Sequence, residues 1–222
     1  MDRLHARLRL VPLVCLALSI GPASAAAPAD ATHERQLRFA VTLDGRPVGW
    51  HEFRLGGTPE ARSVDGHARF DVTVLGLPVY RYEHRDRELW RDGCLQKIDA
   101  STDDDGRRQE VHGRRVDAEF NLDGPAGHSA LAECVSSYAY WDPDLVTRRR
   151  LLNAQTGTLD PVDVVDLGTV DWIRSGRRER SRHYAITGSS FRIDLWYSTT
   201  GDWLGLETRT PTQHILRYEL RP

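Results

Sequence analysis

The sequence has little net charge, few cysteines and no hydrophobic run long enough to cross a membrane. Its 222 residues include 30 basic and 32 acidic side chains, for a formal net charge of -2, and three cysteines. With 40% hydrophobic residues, this composition excludes a disordered polyanion and a multi-pass membrane protein. A sequence pI near 6.5 argues against a strongly basic nucleic-acid binder, so we expect no nucleic-acid partner.

Catalytic and cofactor-binding motifs are missing as well. No G-x-S-x-G elbow occurs, which excludes an α/β-hydrolase at the level of motifs. No G-x-x-x-x-G-K-[ST] or G-x-G-x-x-G loop occurs, and the histidines lack H-E-x-x-H spacing, so ATP, NAD and zinc-protease sites are not expected. We therefore assign no catalytic residue, no metal ligand and no cofactor from motifs.

Residues 1–25 have the pattern of a secretory signal peptide. A basic start precedes an apolar stretch from Leu10 to Ile20, and small residues follow from Ala23 to Ala25 in the A-x-A arrangement. The apolar stretch is too short for a spanning helix, which needs about 20 residues. We expect cleavage near Ala25, a flexible lead-in over 26–34, and a bacterial protein of the periplasm or the medium without a membrane span.

Cleavage would leave two cysteines, because Cys15 lies inside the apolar stretch. Exported proteins meet an oxidising compartment, in which paired cysteines usually cross-link. We predict a disulfide between Cys94 and Cys134, with two separate buried thiols as the alternative.

Polar and hydrophobic residues alternate along most of the chain after the lead-in. Leu37, Phe39 and Val41 share one face of the first predicted strand, and Asp44-Gly45 then forms a hairpin turn. Repeated stretches of this kind predict about ten strands. Tight turns join antiparallel neighbours, and so many strands tend to curl or close. The sequence therefore predicts one mainly β domain over 35–222, a strongly curved antiparallel meander or barrel.

One region, residues 130–153, loses the alternation. Asp142-Pro143 resembles a helix N-cap followed by proline at the first helical position. Leu145, Val146 and Leu152 then have the spacing of one helix face. We predict a helical insertion near 142–153 that covers one end or the concave side of the sheet.

One predicted strand, Val79 to Trp90, carries polar and aromatic residues on a single face. If the strand has no bulge, this face holds Tyr80, Tyr82, His84, Asp86, Glu88 and Trp90. His84, Asp86 and Glu88 could supply three metal ligands or an acid–base pair. Alternating charges are also typical of a solvated sheet face, and we favour that interpretation.

The second half of the chain is rich in aromatic residues. Most are expected in the core, because aromatic side chains dominate β cores. The other interpretation is an aromatic-lined cavity under the curved sheet. The candidate ligand-binding residues are Tyr80, Tyr82, Tyr138, Tyr140, Trp141, Trp196 and Trp203.

Several segments together resemble a family of exported bacterial proteins of unknown function. The segments are 38–49, 79–84, 88–93, 137–141, 153–157, 194–198 and 203–206, and they span nearly the whole mature chain. The resemblance implies a secreted β-rich domain and supplies no catalytic residue. A looser similarity, to periplasmic lipoprotein carriers of the LolA/LolB kind, implies a curved antiparallel sheet with helices over an apolar cavity.

These patterns predict an exported envelope protein that binds or carries a lipid or another apolar ligand in a curved β-sheet. Two alternatives stay open. The protein is an envelope assembly or structural factor that acts through a protein partner, or a metal-dependent hydrolase that uses His84, Asp86 and Glu88.

Overall fold

A computed structural model describes residues 34–174 and 176–221. The predicted signal peptide over 1–25, with Cys15, and all of the predicted lead-in except Glu34 lie outside the described residues. No helix among the described residues is long and apolar enough to cross a membrane.

Fifteen β-strands and one 3-10 helix, Pro143–Thr147, account for the regular structure of the described residues. The strands are β1 Arg35–Leu43, β2 Arg46–Gly57, β3 Ala61–Val74, β4 Leu77–Arg91, β5 Cys94–Asp104, β6 Arg107–Val116, β7 Glu119–Gly124, β8 Gly127–Leu131, β9 Arg150–Leu152, β10 Leu159–Pro161, β11 Asp163–Arg174, β12 Arg177–Thr187, β13 Arg192–Ser198, β14 Trp203–Arg209 and β15 Ile215–Leu220.

Thirteen of these strands form one antiparallel sheet in the order β11-β12-β13-β14-β15-β1-β2-β3-β4-β5-β6-β7-β8. The order confirms the predicted meander, since neighbours along the chain are neighbours in the sheet, and the β1–β15 ladder joins its two halves. The predicted hairpin turn at Asp44-Gly45 is also present. Both residues have positive φ, 49° and 77°, as a tight hairpin between right-twisted strands requires.

The sheet curls round a shared core. Leu95 and Phe120 from one half of the sheet order are buried in the same hydrophobic cluster as Ile186 and Tyr197 from the other half. Strands so far apart in the order share a core only if the sheet bends back on itself. The sheet is not closed, however, because no ladder joins the edge strands β8 and β11 within the described ranges.

Two details of the predicted fold are wrong. The structure has about fifteen strands rather than about ten, because pairing with neighbours makes short segments such as β8 and β9 extended without a clear alternation. The predicted helix near 142–153 is only the 3-10 helix at Pro143–Thr147. Asp142 caps it as predicted, but Arg148 is extended. Leu152 N–H then donates to the Ser136 carbonyl (2.8 Å), a partner outside any helix.

The residues between β8 and β11, 132–162, form a crossing segment that packs against the sheet. Val135, Trp141, Leu145, Leu151 and Leu152 of this segment are buried in the main core. Its interior position explains why hydrophobic residues here follow neither strand nor helix spacing.

A disulfide joins Cys94 to Cys134, with the two Cα atoms 5.2 Å apart, and confirms the predicted pairing. It fastens the start of β5 to the start of the crossing segment. Leu95 N–H donates to the Val135 carbonyl (2.8 Å), and the Arg148 guanidinium donates to the Gly93 carbonyl (2.7 Å) at the same point.

Candidate functional site

A cavity of about 530 Å³ lies between the inner face of β2–β4, the crossing segment and the chain around the β12–β13 turn. Strand β4 contributes Tyr82, His84, Asp86 and Glu88 to its lining. The crossing segment contributes Tyr138, Tyr140 and Trp141, and the β12–β13 connection contributes Phe191. The cavity therefore combines a polar strip on β4 with a group of aromatic side chains on the opposite side, and polar residues of the crossing segment such as Gln155 and Asp160 also line it.

The polar strip is buried. His84 and Asp86 are each 8% exposed and Glu88 is 4% exposed, whereas the intervening Arg85 and Arg87 face solvent. The interpretation of a solvated face for these residues is therefore wrong. The alternation along β4 is as predicted, but the curvature of the sheet turns the charged face inward.

Small residues on the neighbouring strands make room for this strip. Asp86 is paired with Gly66 on β3 and with Ala100 on β5, and His84 is paired with Ala68 on β3. A Cβ atom on Gly66 would lie 2.1 Å from Oδ1 of Asp86, so the Asp86 carboxyl group occupies space that only glycine leaves free.

Hydrogen bonds orient the polar side chains. Nδ1 of His84 lies 2.8 Å from Oγ1 of Thr102, and Nε2 of His84 lies 3.5 Å from Oδ1 of Asp86. Glu88 is the next inward residue of β4 after Asp86. Its Oε2 accepts a hydrogen bond from Nε1–H of Trp90 (2.8 Å). Each of the three cavity side chains is therefore tied to a neighbour, yet no arginine or lysine forms an ion pair with Asp86 or Glu88 in the described part of the chain.

Burial raises the pKa of Glu88 well above the usual value of 4.5, and the charge of Asp86 raises it further. Hydrogen bonds from Ser137 and Trp90 act in the opposite direction but are outweighed. Two acids on one buried face of a strand resist simultaneous ionisation, so Glu88 retains its proton at higher pH than an exposed glutamate.

His51 on β2 is the most unusual polar group of the cavity lining. Both of its ring nitrogens are buried, and neither has a hydrogen-bond partner among the residues that the structure describes. Desolvation lowers the pKa of His51 well below 6.5, and nearby His84 and His67 lower it further. The ring stacks on Phe53, with centroids 4.1 Å apart. His51 is thus a neutral imidazole whose hydrogen-bonding capacity is unused.

Hydroxyl groups anchor part of the aromatic wall. Tyr82 donates to Oε1 of Gln155 (3.3 Å) and Tyr138 donates to Oδ2 of Asp160 (3.0 Å). The Tyr138 ring lies 6.0 Å from Tyr140 and 6.1 Å from Phe191, measured between centroids. Burial raises the pKa values of Tyr82, Tyr138 and Tyr140, which keeps their hydroxyl groups protonated.

The sequence of this chain matches the family described as domain of unknown function DUF6134 over residues 39–221. The chain belongs to this family. The match confirms the resemblance to a β-rich family of unknown function. A comparison of the DUF6134 chain with curated proteins finds no match.

A solved structure shares the fold of this DUF6134 domain. It is the crystal structure of a β-barrel-like protein of the domain of unknown function DUF1849 from Brucella abortus, with a TM-score of 0.64 and 12% sequence identity. The similarity covers 86% of this chain and 98% of that chain. At this low identity the likeness shows the fold alone.

The DUF6134 domain brings four of the seven candidate ligand-binding residues to the cavity: Tyr82, Tyr138, Tyr140 and Trp141. The other three lie elsewhere. Tyr80 donates to Asp104 (2.7 Å) near the start of β4, and Trp203 packs on Phe39 in the main core. Trp196 lies on the opposite face of β13 from Leu195 and Tyr197, where it stacks on Trp172.

Sequence reasoning missed His51, Phe53, Gly66 and Phe191. The alternation of β2 places His51 and Phe53 on the same face as Leu55. This pattern is a local signal that the side chains of His51 and Phe53 point inward. Nothing local marks Gly66, because its role depends on the side chain of Asp86 on the next strand.

The arrangement offers no metal centre in residues 34–174 and 176–221. No group of three His, Cys, Asp or Glu side chains there is close enough to hold one ion. Successive inward residues of a strand are nearly 7 Å apart along its axis, which spreads His84, Asp86 and Glu88 over a longer distance than one ion spans.

Proposed function

We propose that this DUF6134 domain binds a small amphipathic molecule in the cavity and acts as a binding or carrier protein of the bacterial envelope. The observation that carries the proposal is the cavity of about 530 Å³, in which an aromatic wall faces a buried polar strip. Ligand pockets of folded proteins have volumes of about 300–1,000 Å³ and combine apolar walls with a few polar groups. Both properties are present here.

The side chains that line the cavity favour a ligand with two unlike ends. Tyr138, Tyr140 and Phe191 offer apolar contact area to a hydrocarbon or a ring. His51 offers two ring nitrogens that have no hydrogen-bond partner within the described ranges and that an entirely apolar molecule would leave unsatisfied. Unpaired buried polar groups cost free energy, so a ligand with a polar head is preferred over a pure hydrocarbon.

An envelope location rests on the sequence pattern of residues 1–25 and is supported by the Cys94–Cys134 bridge. Disulfides form and persist in oxidising compartments such as the periplasm.

A cavity-filling variant tests the proposal. Ala154 lines the cavity and is half-buried, so Ala154→Phe places a ring inside it. We expect the unchanged protein to enhance the fluorescence of the neutral dye N-phenyl-1-naphthylamine and the variant to lose most of that enhancement. Ala118→Phe, the same change at an exposed turn, is the matched control and should bind as the unchanged protein does. No binding by the unchanged protein, or equal binding by Ala154→Phe, would contradict the proposal.

A second candidate function, an assembly factor that contacts a protein partner, is favoured by the tip of the β3–β4 hairpin. This apolar tip (residues 74–79) exposes Val74 by 53%, Leu75 by 99%, Leu77 by 68% and Val79 by 53%. Clustered exposed apolar side chains are typical of interaction sites. A photo-crosslinking amino acid at position 75 should yield one protein adduct. The same amino acid at Asp105, in the polar turn between β5 and β6, should not yield that adduct. Identical adducts at the two positions, or none, would contradict it.

A further inference from the structure

We infer that the cavity selects amphipathic ligands whose polar end is an amine cation, held beside Asp86, and that it discriminates against anionic amphiphiles. The inference rests on the proposed function and narrows its ligand class. It follows from the charges of the lining, from the aromatic wall and from the unused hydrogen-bonding groups.

The ionisable side chains of the lining are acids, histidines and tyrosines only. The acids are Asp86, Glu88 and Asp160, and the histidines are His51 and His84. No lysine or arginine is among the described residues that line the cavity. Arg62 contacts the ring of Trp141, with its Cζ 5.2 Å from the centroid, but does not itself line the space.

Asp86 is the group at which a cation fits. Its carboxyl group is buried, and the one basic group that the described structure places within ion-pair distance is Nε2 of His84, at 3.5 Å. Buried carboxyl groups in proteins are normally paired with a cation or several hydrogen-bond donors. A ligand ammonium group would provide both a positive charge and donors.

The aromatic wall favours the same sign of charge. The faces of tyrosine and tryptophan rings carry negative partial charge and attract cations within about 6 Å of the centroid. Tyr82, Tyr138, Tyr140 and Trp141 all line the cavity. The aromatic side chains of the lining therefore add to the attraction that Asp86 exerts on an amine cation.

The imidazole of His51 adds hydrogen-bonding capacity. A neutral imidazole has one acceptor and one donor nitrogen, and both nitrogens of His51 are buried without a partner in the described structure. This group lines the same cavity as Asp86, so a ligand with several hydrogen-bond donors can donate to the acceptor nitrogen of His51 and to the Asp86 carboxyl group.

An anionic head group meets the opposite situation. A carboxylate ligand would be brought next to the buried carboxyl group of Asp86 without a lysine or arginine in the described lining to neutralise it. Like charges in a poorly hydrated site repel strongly, so fatty acids are the disfavoured members of the amphiphile class.

Three probes with one alkyl chain and different heads test the inference: octylamine, octanol and octanoate. Each is titrated at neutral pH against the purified protein loaded with N-phenyl-1-naphthylamine, and dye displacement gives the affinity. We expect octylamine to bind best, octanol less well, and octanoate at least about 10-fold more weakly than octylamine, as one charge-assisted contact implies.

The variant Asp86→Asn tests whether Asp86 is the source of the preference for an amine head. The variant should lower octylamine affinity about 10-fold and octanol affinity by a clearly smaller factor, because the amide keeps the shape and an acceptor oxygen but removes the charge. Asp65→Asn, which changes an exposed acid on the neighbouring strand, is the matched control and should alter neither value.

The outcomes separate this inference from the proposed function. Equal affinities for the three heads, or tighter binding of octanoate, would overturn amine selection while leaving the cavity a binding site. A protein that binds neither dye nor probes would overturn both. If Asp86→Asn does not fold, the ranking of the three probes on the unchanged protein still decides the charge preference.

Discussion

The carboxyl group of Asp86 lies directly over Gly66 of the adjacent strand, with Oδ1 2.1 Å from the position that a glycine Cβ would take. The two residues are paired across the β3–β4 ladder. The missing side chain of Gly66 is therefore what allows a buried acid to lie flat against the sheet at the edge of the cavity.

Gly66→Ala should destabilise the domain by about 1–3 kcal/mol, because the new methyl group displaces the Asp86 carboxyl group in a packed interior. Urea unfolding followed by tryptophan fluorescence measures the change. The double variant Gly66→Ala/Asp86→Ala tests the cause, since removal of the carboxyl group leaves room for the methyl group. If the two single changes add without coupling, the clash with Asp86 is not the reason for the loss.

Glu88 should make the domain less stable as pH rises. Its pKa is raised in the folded state, so above the unfolded value near 4.5 the folded protein holds a proton that the unfolded chain has released. The free energy of unfolding then falls with rising pH, by about 1.4 kcal/mol per pH unit at most, until Glu88 ionises in the folded state. This stabilisation is fully present below the unfolded pKa.

Urea unfolding at several pH values from mildly acidic to mildly alkaline checks this dependence. Glu88→Gln cannot ionise and should flatten the decline, whereas Glu119→Gln, at an exposed site on β7, should leave it unchanged. The same slope in Glu88→Gln and in the unchanged protein would exclude Glu88 as its source.

The disulfide should stabilise both the fold and the cavity. It closes a loop with a sequence separation of 40 residues, which corresponds to about 4 kcal/mol in the chain-entropy account. We expect Cys94→Ser/Cys134→Ser to unfold at lower urea concentration and to bind N-phenyl-1-naphthylamine more weakly, because the crossing segment loses its covalent attachment. A reducing agent should weaken the unchanged protein similarly and leave the variant unaffected. Unchanged stability on reduction would contradict the prediction.

Export of the chain should remove residues 1–25. The pattern of a basic start, an apolar stretch and an A-x-A site predicts a mature N-terminus at Ala26. N-terminal sequencing of protein recovered from the periplasm of an expressing bacterium measures it. Ala23→Leu together with Ala25→Leu should block processing, because signal peptidase requires small residues at these positions. Efficient cleavage of that variant at Ala26 would contradict the assignment.

Much of the fold could be predicted because its signals are local. Asp44-Gly45 marks a hairpin wherever it lies between alternating strands, and the alternation of Leu37, Phe39 and Val41 defines a strand face without knowledge of its partners. The helix prediction near 142–153 was wrong because the cap at Asp142 specifies only where a helical turn begins. Contacts from Ser136 and the sheet then decide the conformation beyond Arg148.

The candidate site could be predicted only in part. Tyr82, Tyr138, Tyr140 and Trp141 were found because aromatic residues accumulate where a β shell has an interior. Trp196 was included although the alternation of β13 places it opposite Leu195 and Tyr197, and that local signal could have removed it. The roles of His51 and Gly66 depend on side chains of neighbouring strands. These lie too far away in the sequence for a local pattern to indicate them.

The sequence by itself determined an antiparallel β-protein with hairpin turns and one cysteine pair, because alternation and turn chemistry act over a few residues. Only the tertiary structure decided which face of β4 is inside. A period of two is the same for a solvated and a buried charged face, so His84, Asp86 and Glu88 have one pattern with two possible environments. The choice is made by the curvature of the sheet and by the small residues Gly66, Ala68 and Ala100 on adjacent strands.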